Sequence, residues 1–497
     1  MRPTQAVLIA ISLAGGGIPA PASPFAVEVV ESQGPFGAPP YYDNPGAVLG
    51  APAAWFYDRF AAMSGGATNR RVKLVEGAYN VSPAPNSTNL LVTLGGGSRI
   101  IVRFDEPVSN NPANPYGVDL LVFGNAFYTA TTTVHDATDL TACFLTGGNF
   151  SEQVKVSVSP GYTGLSGEAP NDPGTWPWHR FDSGPYADTG FPTQAHPWDR
   201  AATNWASGMM DFQKPVNPVM QARLEEGGVS VADAMDLYVG SGGGTGFDIE
   251  PSGFPSIRYV KIEGIDPDFT DGEVDALSIA RPAVVGDALS IAPQNLADGV
   301  DTLFYQNPAA PLDGRLSVRF SALDDMARMA TAPLTNLAAW APLPGVALNA
   351  VQVDVSPLPG ASQTAYVAAV GLSAGGGYAG NGSDLVLLQS SGTNWTVLPF
   401  TFDPVGRRAV TEGITNCSAF ALARIVGPIV SIALVTNGVE VAFSPAPALT
   451  YGIQRSGDLS GWTTLTNISP STTAPVRFTD MSPPPGRAYY RVAASAP

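Results

Sequence analysis

Five carboxylates, Asp266, Asp268, Asp271, Glu273 and Asp275, fall within ten residues of this sequence, with Gly272 among them. Calcium takes about six to eight oxygen ligands, and a sharply turning loop can supply them from side chains and carbonyls. The spacing is not that of an EF-hand, whose twelve-residue frame and closing Glu are missing. Like charges this close repel unless a cation or hydrogen-bond donors neutralise them. The same residues also read as a solvated acidic loop in which Asp275 bonds to a turn, and both readings stand at this point.

The second constellation is aromatic. Trp176, Trp178, Trp198 and Trp205 are half of the eight tryptophans and lie within thirty residues, near His179, Asp199, Tyr186 and His196. Flat rings stack on the C–H faces of sugars while neighbouring Asp and Asn bond the hydroxyls. Against this stands the ordinary tendency of large aromatics to become the core of whatever segment carries them. The expected ligand-contacting set is Trp176, Trp178, His179, Trp198, Asp199 and Trp205.

Signals of hydrolytic chemistry are poor. The three histidines are His135, His179 and His196, and neither a G-x-S-x-G elbow nor an H-E-x-x-H pair occurs. His179 and His196, with Asp182 or Asp199, match no zinc spacing. Gly240 to Gly246 is glycine-rich but lacks the lysine of a phosphate loop and reads as a turn. Two facing Asp or Glu side chains would suffice for a glycosidase, and a single sequence does not exclude them.

Elements of some size are needed to position these groups. The chain has 497 residues, too many for one core, and its 44% hydrophobic content is enough for several. The 54 glycines and 46 prolines are spread along it, which suits short strands joined by turns. A formal charge of −17 disfavours nucleic acid as a partner. Arg2, the apolar run Ala6 to Ala14 and Ala20-Pro21-Ala22 read as a signal peptide over residues 1–22. No later run is long and apolar enough for a transmembrane segment. Cys143 and Cys417 fall in different predicted domains and are expected to stay free thiols.

The patterns predict an all-β fold in three parts. Residues 25–283 hold strands at Asn89–Leu94, Arg99–Phe104, Asp119–Phe123, Gln153–Ser159, Ile257–Glu263 and Val274–Ile279. Gly95-Gly96-Gly97-Ser98 is expected to join the first two as a hairpin, and residues 161–240 to form an ordered insertion. Short helices are predicted at Ala53–Met63, Pro218–Leu224 and Val229–Leu237. Residues 284–426 read as a middle β-sandwich, and 427–497 as a small fibronectin-III-like sandwich.

Several motifs occur in a telling order. They are Tyr42-Asp43-Asn44-Pro45-Gly46-Ala47-Val48-Leu49-Gly50, Leu94-Gly95-Gly96-Gly97-Ser98, Asp119-Leu120-Leu121-Val122-Phe123-Gly124-Asn125-Ala126-Phe127, Gly243-Gly244-Thr245-Gly246-Phe247-Asp248, Ile257-Arg258-Tyr259-Val260-Lys261-Ile262 and Asp275-Ala276-Leu277. In this order the first part resembles a family of uncharacterised secreted or cell-surface β-sandwich proteins of environmental bacteria. That resemblance implies a jelly roll like those of galactose-binding modules. It also implies structural calcium near strand ends, which adds Asp119 to Asp268, Asp271, Glu273 and Asp275 as expected ligands. The closing Gln454-Arg455-Ser456-Gly457-Asp458 and Ala488-Tyr489-Tyr490-Arg491-Val492 resemble small C-terminal modules of large exported proteins.

The sequence thus predicts a secreted or cell-surface protein, non-catalytic, whose jelly roll binds a glycan or cell-surface polymer and holds structural calcium. The competing expectation is a carbohydrate-active enzyme, a glycoside hydrolase or lyase, with paired Asp/Glu beside the Trp-rich insertion.

Overall fold

The computed structural model describes residues 22–497 except 40, 59–62, 64–67, 81–88, 266–269, 308–313, 335–336, 338–342, 344, 363–364, 391–393, 426, 429, 447–448 and 496–497. The expected signal peptide falls almost wholly outside the described residues. Strand makes up 47% of the chain and helix 8%, so the fold is all-β, as the turn-rich composition predicts. Among the described residues no helix is long and apolar enough to cross a membrane.

The first region packs two antiparallel layers. One sheet runs Glu28–Gln33, Arg99–Ser109, Ser256–Gly264, Val154–Ser159, His179–Arg180. Opposite it lie Thr245–Phe247, Leu120–Phe123 and Ala276–Ile279, extended by the pair Val92–Gly95 and Thr270–Val274. Alternation sets the core: Ile100, Val102, Phe104, Val156, Val260 and Ile262 meet Val122, Val92, Val274 and Leu277. The Gly95–Ser98 turn is not a hairpin. Its flanking strands belong to different sheets, so the turn carries the chain from one layer to the other, closed by Ser98 N–H donating to Gly95 O.

The insertion builds a second core. Met220–Glu225 and Val231–Leu237 are helices, the latter capped by the Ser230 hydroxyl, which accepts from Asp233 N–H at 3.0 Å. Their apolar faces bury Met220, Leu224, Met235 and Leu237 with Leu74, Leu140, Leu145, Phe191 and Trp205. The predicted helix at Ala53–Met63 holds only in part: Met63 is helical and residues 59–62 lie outside the described residues. Trp55–Tyr57 is instead a strand paired with Asn69–Arg71.

The middle region is a sandwich of two six-stranded sheets, and the C-terminal one a sandwich of two three-stranded sheets. Among the described strands, none pairs across residues 280–282 or 426–429. Packing, however, does cross these points. Ala419-Phe420-Ala421-Leu422-Ala423 turns Phe420 and Leu422 into the middle core, and the alanines outward. With Val386, Leu388 and Trp395 they form a flat apolar face against Val441, Phe443, Tyr451 and Val492 of the last module. A strand buried on both faces reads as a continuous apolar run, as this one does. Cys143 and Cys417 are both buried and free.

Candidate functional site

Of the expected calcium ligands, Asp119, Glu273 and Asp275 have described side chains, and each of these has its own set of partners. Asp119 precedes the strand Leu120–Phe123, where its Oδ1 accepts from Asn111 N–H (3.1 Å) and the Asn114 amide (2.8 Å), and its Oδ2 from Ile249 N–H (3.2 Å). Burial pushes its carboxyl up to about 6 against those three donors. Asp275 sits at the other end of the same strand, its N–H donating to Phe123 O at 2.8 Å. It is fully buried, accepts from Ala53 N–H at 2.7 Å, and is pushed up to about 8 by burial. Asp268 lies outside the described residues, and so does the side chain of Asp271. Among the described residues no group of three or more His, Cys, Asp or Glu is arranged to hold a metal.

Glu273 has different neighbours from those expected. Its Oε1 accepts from the Thr93 hydroxyl at 3.2 Å, and Glu152 and Asp188 lie beside it. Burial first, then these two like charges, drive its carboxyl well above the usual range. Asp188 is likewise raised, chiefly by burial, while accepting from Ala126 N–H at 2.9 Å. Gly124 is obligatory here, because a side chain on it would stand 2.3 Å from Asp188 Oδ1. Sequence reading missed Glu152 and Asp188, which are distant in the chain. The available signal was Gly124-Asn125-Ala126, a turn without a side chain after a buried strand.

The aromatic set divides into two places. Trp176 and Trp178 cover the outer face of the five-stranded sheet. Trp176 is 8% exposed, packs on Tyr259 at 4.5 Å and donates to Ala169 O, while Trp178 lies under Lys261 and donates to Pro173 O. His179 follows on the edge strand, edge-on to Phe181, and lines a cavity of about 500 Å³. Trp198 and Trp205 pair edge to face at 5.4 Å across a short hairpin elsewhere in the insertion. Asp199 shapes that hairpin, accepting from Ala201 and Ala202 N–H. Trp205 is buried against the insertion core, and Trp198 is half-buried.

Trp198 borders a larger feature. Between the insertion and the middle sandwich runs an open cleft of about 830 Å³. Trp198, Met210 and Met235 give it apolar wall, and Arg200, Lys214, Asp233, Asp236, Asp287 and Arg328 its charged groups. Arg200 holds Asp233 and Asp236 at 2.6 and 2.7 Å. Arg281 holds Asp211 and Asp287 at 2.6 and 2.8 Å. Burial works to raise Asp287, but its hydrogen bonds from Arg281 prevail and keep it below the ordinary carboxylate range. None of Arg200, Lys214, Asp233, Asp236 or Arg328 was singled out from sequence, since they come from four separate segments.

No protein-family model matches this chain, and no curated protein is similar to it. The chemistry of these residues is therefore what bears on function.

Proposed function

We propose that this chain is an exported, non-catalytic binding protein of the secreted or cell-surface jelly-roll kind, whose cleft between the first and middle sandwiches takes a glycan. The observation that carries this reading is the half-buried Trp198 ring on the wall of a polar cleft of about 830 Å³. Ligand sites of this size combine apolar wall with a few directional polar groups, and a sugar offers a C–H face to the one and hydroxyls to the other. Trp176 and Trp205 take no part in it, being packed within the protein.

The reading as a glycoside hydrolase or lyase has less support. Such an enzyme needs one carboxyl kept protonated and a second kept ionised across the same groove. In the cleft Asp233 and Asp236 are engaged by Arg200 and Asp287 by Arg281. The carboxyls that burial raises, Glu76, Asp119, Asp188, Asp248, Glu273 and Asp275, each accept hydrogen bonds within the first region and do not line the cleft.

Structural calcium is the second part of the proposal. Its support is narrower than the sequence reading: Glu273, retained from that set, is crowded by Glu152 and Asp188. A glycan array probed with the full chain tests the main reading. Binding to one saccharide class agrees with it, and an array with no signal contradicts it.

A further inference from the structure

The cleft does not treat its charges evenly. Its three lining carboxylates are each held by an arginine, Asp233 and Asp236 by Arg200, and Asp287 by Arg281. Two cations are left over. Lys214 is 6% exposed, and its ammonium donates to Val239 O at 2.5 Å, with no carboxylate within ion-pair distance among the described residues. An ammonium carries three donors, so this one keeps hydrogen-bonding capacity toward the cleft that it lines. Arg328, exposed on the strand Ala327–Pro333, lines the opposite wall, its side chain making no ion pair or hydrogen bond among the described residues.

These two cations come from different regions of the chain and face one space. Burial and the positive charges of Arg281 and Arg328 all act against the charge on Lys214, while Asp287 and Asp211 support it. An anion placed between Lys214 and Arg328 would relieve that repulsion and satisfy donors on both walls. A planar carboxylate suits the guanidinium fork in particular. Trp198, on the same cleft, offers a ring to the remainder of the ligand.

We infer that the cleft is selective for a carboxylate-bearing saccharide, a uronic acid unit whose carboxylate lies between Lys214 and Arg328 and whose ring lies against Trp198. This rests on the glycan reading above and names the substrate class of the same site. It also explains how a chain of charge −17 accepts an acidic polymer: the free cations are set inside a cleft, apart from the acidic surface.

Calorimetric titration of the full chain tests it, with an oligogalacturonate, a neutral galactan oligosaccharide of equal length and an oligoglutamate as probes. The uronate should bind at least about tenfold more tightly than the other two, the yield of one charge-assisted contact. Arg328→Ala, at an exposed position, should weaken it by a similar factor, and Arg328→Lys should restore part of the loss. Circular dichroism of both variants checks that the fold persists. Equal binding of uronate and galactan, unchanged by Arg328→Ala, overturns the inference and leaves the glycan reading intact. Oligoglutamate binding as tightly as the uronate overturns the saccharide assignment, and failure of the uronate to bind overturns the inference, while the glycan reading falls only with an array that gives no signal.

Discussion

Arg281 sets its guanidinium against the carboxylate of Asp287 in a two-pronged contact, at 2.8 and 3.0 Å, while its Nε and the shared Nη2 reach Asp211. The first residue ends one sandwich, the second enters the next, and Asp211 belongs to the insertion. The cleft depends on this clamp, because its two walls belong to the regions that the clamp joins. Arg281→Ala leaves two half-buried carboxylates without their partner and should cost about 2–3 kcal/mol, below the range for fully buried pairs. Chemical denaturation would measure that loss. Limited proteolysis should cut the variant at 282–287 and spare the wild type, in which Ala283 and Val285 are buried. Identical digestion patterns would show that the clamp does not hold the boundary.

The buried carboxyl of Asp275 predicts a direction of pH dependence. Its folded value of about 8 lies above its ordinary 3.8, so the native state holds an extra proton between the two. The stability it contributes is fully present below about pH 4 and is lost as pH rises through 8. Asp119 and Glu273 are raised too and act in the same sense. The melting temperature should therefore fall from pH 5 to pH 9. Asp275→Asn keeps an acceptor for Ala53 N–H and should flatten that slope, by a difference of a few kcal/mol across the range. Parallel profiles for variant and wild type would mean that Asp275 is not held protonated.

Calcium gives a separate outcome at Glu273. An ion that binds only the native state at about a hundred times its dissociation constant adds roughly 2.7 kcal/mol. Melting at pH 8 should rise in calcium relative to chelator, and Glu273→Gln should remove the difference. The same melting curve in both conditions would leave protons alone to neutralise Glu152, Asp188 and Glu273.

The alanine face between the middle and last modules is sensitive to charge. Ala421 is buried with Val441, Phe443 and Tyr451 in the same cluster, and a carboxylate there would have to ionise between two packed sheets. Ala421→Glu should cost several kcal/mol and separate the C-terminal module's unfolding into its own calorimetric transition. A single unshifted transition would show that the two modules do not depend on this contact.

How much of this was legible differs between fold and site. The strands were legible because Val154-Lys155-Val156-Ser157-Val158 and Val439-Glu440-Val441-Ala442-Phe443 alternate with the period of a pleated strand. The Gly95–Ser98 turn was misread because glycine permits a tight turn whether the next strand pairs with the last or crosses to another sheet. Asp119 was joined to Asp275 because both flank core strands, and their separation by the length of Leu120–Phe123 depends on register, which local sequence does not carry. Trp198 was found by its type. Lys214 and Arg328 were not, since more than a hundred residues separate them and only the docking of two sandwiches brings them to one cleft.

Substitution of two tryptophans tests the central claim most directly. Calorimetric titration with the saccharide that scores on the array should show Trp198→Ala weakening binding by about tenfold or more, within the range for loss of one aromatic stacking contact. Trp178→Ala, which alters only the outer face of the first sheet, should bind as the wild type does. Binding that survives Trp198→Ala and is lost in Trp178→Ala would place the glycan on that outer face and contradict the cleft as the site.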